Sequence, residues 1–362
     1  MWALCLPGLA GCGTPYLLQA TRGQWQVMAE RQPIERVLAA PDTPEPLRRQ
    51  LGEIRQARQF ASRELGLPDN RSYTTYADVG RPFVVWNVVA TPEFSVQPLQ
   101  WCFPVAGCVA YRGYFREPAA REFARRLEQR GYDVTLGGVT AYSTLGRLAD
   151  PVLSSMLRYG DIEVIGTLFH ELAHQVVYVP GDSAFNEAFA VTVEQEGLAR
   201  WLRARGRVAE FDDYLQRRAE QLEFVALARG ARAQLAGLFA QPDLDDAARR
   251  AGKAAVFADL VQALRALQAR LGPQRGSGIG AWVDRGLNNA HLASVATYWD
   301  CVPGFEQALA AQGYDLPGFY REVRRLATLA PDQRRAQLCG ATPAMTPSPA
   351  LRPAATSGLA AG

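Results

Sequence analysis

Two histidines spaced by one helical turn constrain this 362-residue chain more than any other feature of its sequence. Residues 166–175 read GTLFHELAHQ, which places His170 and His174 four positions apart. On an α-helix these side chains project from the same face, where two imidazoles can bind one zinc ion. Glu171 borders that face and could act as a general base on a water at the metal. The segment therefore predicts a helix that presents a metal site.

The alternative is a chance occurrence, because the pattern specifies only three residues. Against chance, the chain has three histidines in all, and two of them lie in this segment. The surrounding residues are mostly apolar and Asp161 is a candidate N-cap upstream, so the helix and its imidazoles should be buried. A buried imidazole pair without a ligand or partner would be costly.

A metal held by two histidines needs a third protein ligand. Val177 and Pro180 stand where the metzincin class has glycine and histidine, which excludes that class. A glutamate from the following helix is the gluzincin solution. That helix should begin near residues 182–183, after a Pro-Gly break. Its candidate ligands are Glu187, Glu194 and Glu196.

Distance along the two helices selects among these glutamates. If the helices are antiparallel across a short turn, His174 lies about four residues, or ~6 Å, before the turn. Glu187 lies about as far after it, whereas Glu194 lies ~16 Å beyond the turn and overshoots the histidines. We therefore predict one Zn²⁺ bound by His170, His174 and Glu187. Glu194 is expected to hold a ligand histidine or a substrate amine, with a solvated surface charge as the alternative.

Two histidines and a glutamate base in this spacing are typical of metallopeptidases. Peptide hydrolysis passes through a tetrahedral oxyanion, which needs a hydrogen-bond donor beside the metal. Tyr298 and His291 are the candidate catalytic donors, and their spacing of seven places them on one helix face. Each could equally be a core residue with a satisfied polar tip. Residues 109–115 are the candidate edge strand for pairing with the substrate backbone. Arg112 on this strand could bind a carboxylate or form a structural ion pair.

Composition and hydrophobic pattern predict a globular α+β fold. The chain is 48% hydrophobic and 21% charged, and its net charge of +3 is spread without a basic stripe, so we expect no nucleic-acid partner. Strands are expected at 83–89, 109–115 and 133–142, with a helix at 118–130. Helices should follow at 150–158, 161–178, 183–204, 207–239, 243–271, 288–300, 302–313 and 316–328.

The same pattern divides the chain into regions. The expected regions are a signal at 1–12, N-terminal helices at 13–74, a small mixed α/β lobe at 75–158, a helical lobe with the histidine segment at 159–338, and a disordered tail at 339–362. The small sheet region is thus followed by a mostly helical domain.

The N-terminus resembles a bacterial lipoprotein signal, because a short apolar run ends in LAGC at residues 9–12. In that interpretation the chain is cut before Cys12, which becomes lipidated. No Lys or Arg precedes the run and the run is short, which a start codon assigned too late would explain. The prediction is an envelope protein that faces the periplasm and meets the membrane only through this anchor. If the leader is not a signal, the protein is cytoplasmic.

Four cysteines follow Cys12, and in an exported protein an even number suggests disulfides. Pairing of neighbours along the chain is the favoured pattern among three connectivities, and four buried thiols are the alternative. None of the cysteines has zinc-finger spacing. The favoured pairs are Cys102 with Cys108 and Cys301 with Cys339.

The histidine segment and its surroundings resemble a bacterial family of zinc aminopeptidases. HELAHQ is followed by FNEAFA and VEQEG, and similar stretches are YADVGRP at 76–82, WCFPVAGCVAYRGYF at 101–115, and NNA with ATY at 288–298. The resemblance covers roughly residues 10–340 and implies a gluzincin-like zincin fold and an exported, often lipid-anchored enzyme. Two departures are a short spacer of twelve residues between His174 and Glu187, and Val191 where an Asp is familiar.

These observations predict a zinc-dependent peptidase that acts on peptides, and the resemblance implies an aminopeptidase. The nearer alternative is a periplasmic zinc endopeptidase, which needs an open cleft and no group that binds a substrate amine. The farther alternative is a catalytically silent, metal-stabilised envelope protein. The intact Glu171 argues against a silent scaffold, which has no use for a base at that position.

Overall fold

A computed structural model describes residues 14–103, 107–295 and 301–339. Over these residues the chain is mostly helical with small sheets, which agrees with the α+β prediction. The helices are α1 (Thr14–Ala29), α2 (Ile34–Ala39), α3 (Glu45–Arg63), α4 (Glu117–Glu128), α5 (Asp161–His174), α6 (Ser183–Ala204), α7 (Val208–Phe239), α8 (Asp246–Arg275), α9 (Ser277–Asp284), α10 (Asn289–Ser294), α11 (Val302–Ala311), α12 (Leu316–Ala327) and α13 (Pro331–Leu338).

The strands form three small sheets within the described residues. They are β1 (Gln32–Pro33), β2 (Thr75–Ala77), β3 (Val85–Pro92), β4 (Trp101–Phe103), β5 (Gly107–Val109), β6 (Arg112–Tyr114), β7 (Tyr132–Val139) and β8 (Val152–Leu153). The sheet orders are β1-β2-β8, β6-β3-β7 and β4-β5. All pairs are antiparallel except β2 with β8.

Helix α4 covers one face of the β6-β3-β7 sheet. Its Ala120, Ala124 and Leu127 recur at helical spacing and pack with Trp86 and Val88 of β3. β3 therefore has a core on this face, while the opposite face turns toward the largest core of the molecule, which contains Val85. The sheet is thus held between two layers of apolar side chains.

The largest core surrounds α5, the helix of the histidine segment. Ile165, Leu168, Phe169 and Leu172 of α5 are almost fully buried, and they pack in one cluster with residues of α3, α6, α11 and α12. A Cβ at Gly197 of α6 would lie 2.8 Å from the Phe169 ring, so only glycine allows this close approach of α6 to α5. The two helices that carry the predicted ligands are therefore packed tightly together.

A separate core joins α7, α8, α9 and α10. Leu235, Leu264, Val283 and Leu292 are among its buried members. The long α7 connects this core to α6, because Phe211 and Tyr214 near its start belong to the core around α5. None of the described helices is both long and apolar enough to be a candidate membrane span.

Two disulfides link neighbouring elements. Cys102 is bonded to Cys108 across the β4–β5 hairpin, and Cys301 at the start of α11 is bonded to Cys339 after α13. These are the two pairs that the sequence favoured. The second bond fastens α13 to α11, which packs on α6, and so closes the chain around the core of the histidine helix.

Several elements differ from their predictions. Residues 150–158 are not a helix, because Val152 and Leu153 form β8 in parallel with Tyr76 and Ala77, and a short 3-10 turn follows. The predicted N-cap is also wrong: α5 begins at Asp161, after Gly160 with φ 96° and no side-chain cap. In this case a long-range strand pairing overrides the local helical pattern.

Candidate metal centre

The turn between α5 and α6 sets the position of the predicted ligands. Asp182, one of the two residues at which the sequence predicts the start of α6, caps this helix by accepting the Phe185 N–H at 3.2 Å. The buried Asn186 amide donates to the carbonyl of Val179 at 2.8 Å, and its oxygen accepts the N–H of the same residue at 2.7 Å. This two-sided pairing holds the turn closed, so the first turn of α6 faces the last turn of α5.

Three predicted ligand side chains converge between the two helices. Glu187 Oε2 lies 3.2 Å from His170 Nε2, and Glu187 Oε1 lies 3.7 Å from His174 Nε2. One potential ligand atom from each residue lies within 4.8 Å of the other two. The structure therefore brings His170, His174 and Glu187 to one point, as the helix geometry required.

The separations suit a tetrahedral zinc site. Ligand atoms at ~2.0–2.1 Å from a tetrahedral zinc lie roughly 3.3 Å from one another. Glu187 approaches the two imidazoles at close to this spacing through different oxygens, with Oε2 3.2 Å from His170 and Oε1 3.7 Å from His174. Two imidazole nitrogens and one carboxylate oxygen are also a donor set that zinc uses, with a fourth position left for water or substrate. The residues present fit the ion.

The carboxylates around His170 favour a positive charge at its imidazole. Burial works to lower the pKa of His170, but hydrogen bonds to Glu187 and Glu194 outweigh it and raise the pKa to about 10. The pKa of Glu187 is lowered, because the His170 interactions exceed the opposing effect of burial. A proton on Nε2 fills the position that a metal ion would take, since both are positive charges shared with the Glu187 carboxylate.

His174 has the protonation state that metal binding needs. Its side chain is 6% exposed, and burial followed by the charge of His170 lowers its pKa to about 4. Its Nδ1 has no hydrogen-bond partner among the described residues. The imidazole is therefore neutral at pH 7 and offers a free lone pair, which is the form that binds metals.

Glu194 holds His170 from the side away from Glu187. Its Oε2 lies 3.0 Å from His170 Nδ1, and its Oε1 accepts the Tyr214 hydroxyl at 2.9 Å. The carboxylate is 14% exposed, so it is not the solvated charge of the alternative interpretation. A carboxylate on the second nitrogen orients a ligand imidazole and increases its basicity. Tyr214 adds a contact from α7 that no sequence signal pointed to.

We predict that this chain of contacts controls zinc affinity. Glu194→Gln should weaken zinc binding by roughly 10- to 100-fold, the range for loss of an outer-shell partner of a ligand histidine. Tyr214→Phe should give a smaller loss, because it removes one hydrogen bond to Glu194 and leaves the carboxylate. Competition with a fluorescent zinc chelator measures both. Equal affinity in Glu194→Gln and the parent would contradict the positioning role.

Glu171 is partly buried and lies next to His170 on α5. Burial raises its pKa, and the charge of His170 and the Ser143 hydroxyl oppose this rise. Burial also raises the pKa of Tyr73, a residue with a left-handed φ of 62°. The loop that carries Ser143 is closed by Asp150, which accepts the Thr144 N–H at 2.8 Å. A carboxyl with a raised pKa suits a proton acceptor.

The exposed side of the centre is lined by two tyrosines. The ring of Tyr178 lies edge-on to His174, with centroids 6.1 Å apart, and the side chain is 47% exposed. Tyr111 is 45% exposed, and partial burial, then the charges of Tyr178 and Glu187, raise its pKa. Tyr178 therefore contacts a predicted ligand, Tyr111 is within electrostatic range of Glu187, and both side chains are open to solvent. Tyr178 comes four residues after His174, and this spacing is a sequence signal that could have predicted its position beside the centre.

The chain also matches a family of known proteins. A family model described as "Putative aminopeptidase" matches residues 15–338. The chain belongs to this aminopeptidase family. Neither the curated proteins nor the solved structures yielded a significant match. The family match covers α1 to α13, and the family name favours a peptidase-like function.

The family match spans both predicted oxyanion donors, of which the structure describes only His291. Tyr298 lies outside the described residues. His291 forms a capping box with Asn288 in α10, and its ring lies edge-on to Trp282 at 5.7 Å. Its contacts within the described part of the chain include none of the three ligands. His291 therefore fits the alternative interpretation, a buried core residue whose ring nitrogen is hydrogen-bonded within the fold.

The predicted substrate strand is also occupied in this member of the aminopeptidase family. β6 is an edge strand, but its outer backbone groups bond to Gln19 of α1, which donates to Gly113 O at 3.1 Å and accepts the Phe115 N–H at 3.3 Å. Arg112 stacks on the ring of Tyr16 at 4.2 Å instead of binding a carboxylate. A substrate strand cannot pair along this edge while α1 covers it.

His291 should make the stability of this aminopeptidase-family protein depend on pH. Burial lowers its folded pKa to about 4 from an ordinary 6.5, so the unfolded state binds more protons between these values. Stability that is present above pH 6.5 is then lost as pH falls, by about 2 kcal/mol at pH 5. The free energy of unfolding in urea, measured at pH 7 and pH 5 for the parent and for His291→Gln, tests this. The parent should lose more stability than the variant, and equal losses in the two proteins would contradict the prediction.

Proposed function

We propose that this chain is a zinc-dependent peptidase, with one zinc ion held by His170, His174 and Glu187. The observation that carries the proposal is the convergence of these three side chains at separations suited to tetrahedral zinc. The family name supports hydrolysis of peptides from the amino end. A zincin-like arrangement accounts for the tight packing of α5 against α6.

A zinc ion in this site would supply Lewis acidity toward the scissile carbonyl and would acidify a bound water. Glu171 takes the proton of the attacking water and passes it to the leaving amine. The Ser143 hydroxyl favours the charged, proton-accepting form of the Glu171 carboxylate. Glu194 and Tyr214 keep the His170 ring in position during the reaction.

The two exposed tyrosines are the described side chains best placed to meet the substrate. A phenol hydroxyl can donate a hydrogen bond to the oxygen on which negative charge develops. Tyr111 has the stronger claim, because it is 45% exposed and the charge of Glu187 contributes, after burial and Tyr178, to raising its pKa. It takes the role for which Tyr298 and His291 were the candidates from sequence.

One observation favours the endopeptidase as a second candidate. An aminopeptidase needs an anionic group to bind the free amine of its substrate. Glu194 is engaged by His170 and Tyr214, and Glu196 accepts a hydrogen bond from Arg200 Nε at 2.7 Å. Both acids from the sequence prediction are therefore occupied in the structure.

The experiment that tests the proposed function combines metal content with substrate cleavage. Purified protein should contain one zinc per chain and hydrolyse peptides, and a chelator should abolish both. Aminoacyl-arylamides then test removal of single N-terminal residues, and internally quenched peptides blocked at the amino end test internal cleavage. Bound zinc without cleavage of any peptide would instead support a silent, metal-stabilised protein and would contradict the proposal.

A further inference from the structure

Helix α1 packs on the molecule along one face only. Tyr16 lies edge-on to Tyr114 at 5.6 Å, Gln19 bonds to the edge of β6, and Val27 is 2% exposed. A Cβ at Gly23 would collide with the Phe115 ring, so the helix backbone lies directly against β6 at this point. These inner positions recur at spacings of three and four, as expected for one helix face.

The opposite face of α1 is exposed and carries large apolar side chains among the polar Thr21, Arg22 and Gln26. Leu18 is 66% exposed and Trp25 is 74% exposed, and their spacing of seven places them together on the outer face. Leu17, 42% exposed, extends this face on one side. Trp25 has the highest exposure among the large hydrophobic side chains of the described residues. A face of this kind on a surface helix marks an interaction site.

Charge and position indicate what covers this outer face. Residues 14–29 contain no acidic side chain and one basic side chain, Arg22, which is exposed near Leu18 and Trp25. Such a face meets no repulsion from anionic headgroups, and tryptophan prefers the membrane–water interface. The predicted lipidation site, Cys12, lies two residues before α1. A lipid on this residue would hold the start of α1 against the bilayer.

We infer that the outer face of α1 lies on the membrane surface, with Leu18 and Trp25 inserted into the boundary between headgroups and acyl chains. This goes beyond a lipid tether, because the helix supplies a second point of attachment and a defined orientation. Because Gln19 fastens α1 to β6, the sheet is then held at a defined distance from the bilayer.

The test uses the full chain with Cys12→Ser, so that the result does not depend on lipidation. The probe is a vesicle of equal parts phosphatidylethanolamine and phosphatidylglycerol with brominated acyl chains. Subtracting the fluorescence of Trp25→Phe isolates the Trp25 signal, which brominated chains should quench. Sedimentation with unbrominated vesicles should show roughly tenfold weaker partitioning for Leu18→Ala, since one exposed leucine loses its burial.

A matched control is Leu222→Ala on α7, a leucine that is 39% exposed away from α1. This variant should bind vesicles like the parent, and all variants should keep the zinc content of the parent. Quenching of Trp25 by aqueous iodide that persists at saturating vesicle would overturn the inference. Shielding of Trp25 that needs no vesicle and grows with protein concentration would also overturn it, because a second copy of the chain would then cover the face.

Discussion

Replacing Glu171 with Gln should abolish peptide hydrolysis while bound zinc stays at the level of the parent. The amide keeps the size of the side chain but cannot accept the proton of the attacking water, and a positioned general base contributes roughly 10²–10⁴-fold to the rate. Glu171 is not one of the three converging ligands, so its loss leaves the donor set intact. The measurement is kcat on the best peptide substrate, together with zinc per chain.

The control for this variant is Glu163→Gln, two turns earlier on α5. Glu163 is 39% exposed and pairs with Arg217 on the surface, so its replacement should change neither zinc content nor rate. Turnover of Glu171→Gln within a few-fold of the parent would remove Glu171 from the mechanism. Loss of zinc in Glu171→Gln would mean that the residue supports the metal and not the proton transfer.

Replacing Glu187 with Ala should remove zinc from the purified protein. The site would keep two imidazoles and lose its only carboxylate, so affinity should fall by more than the roughly 100-fold upper range of an outer-shell change. Zinc at about 1,000 times its Kd stabilises the parent by about 4 kcal/mol, and chelation should remove this amount. The variant should unfold at the same urea concentration with and without chelator.

Glu194→Gln is the internal comparison for this result. This variant removes a negative charge that lies on the same helix as Glu187 and contacts the same histidine, His170. It leaves the three proposed zinc ligands in place. Zinc should therefore be weakened in Glu194→Gln and absent in Glu187→Ala at the same free concentration. Stoichiometric zinc in Glu187→Ala would show that another residue is the third ligand.

The sequence predicted the helical framework of the site because the signals there are local. The Pro-Gly break and an aspartate cap predict α6 over 183–204, the range that the structure shows. Antiparallel helices across a short turn then imply that Glu187 faces His174. Rise per residue and a cap are sufficient for this argument, and neither depends on the rest of the fold.

Contacts between distant segments could not be predicted in this way. Tyr214 lies 20 residues from Glu194 and meets it only because α7 folds back on α6. Gln19 covers the edge of β6 although it precedes its partner Gly113 by 94 residues. The residues 150–158 have a helical pattern, but the pairing of β8 with β2 determines their structure. Tertiary packing decides each of these cases.

The most direct test of the proposed metal centre is X-ray absorption spectroscopy at the zinc edge of the purified protein. The proposed centre predicts one zinc per chain, with two imidazole nitrogens and light oxygen ligands at ~2.0–2.1 Å and no sulfur. In Glu187→Ala the zinc signal should be lost. A zinc–sulfur distance of ~2.3 Å, or protein that carries no stoichiometric metal, would contradict a centre built from His170, His174 and Glu187.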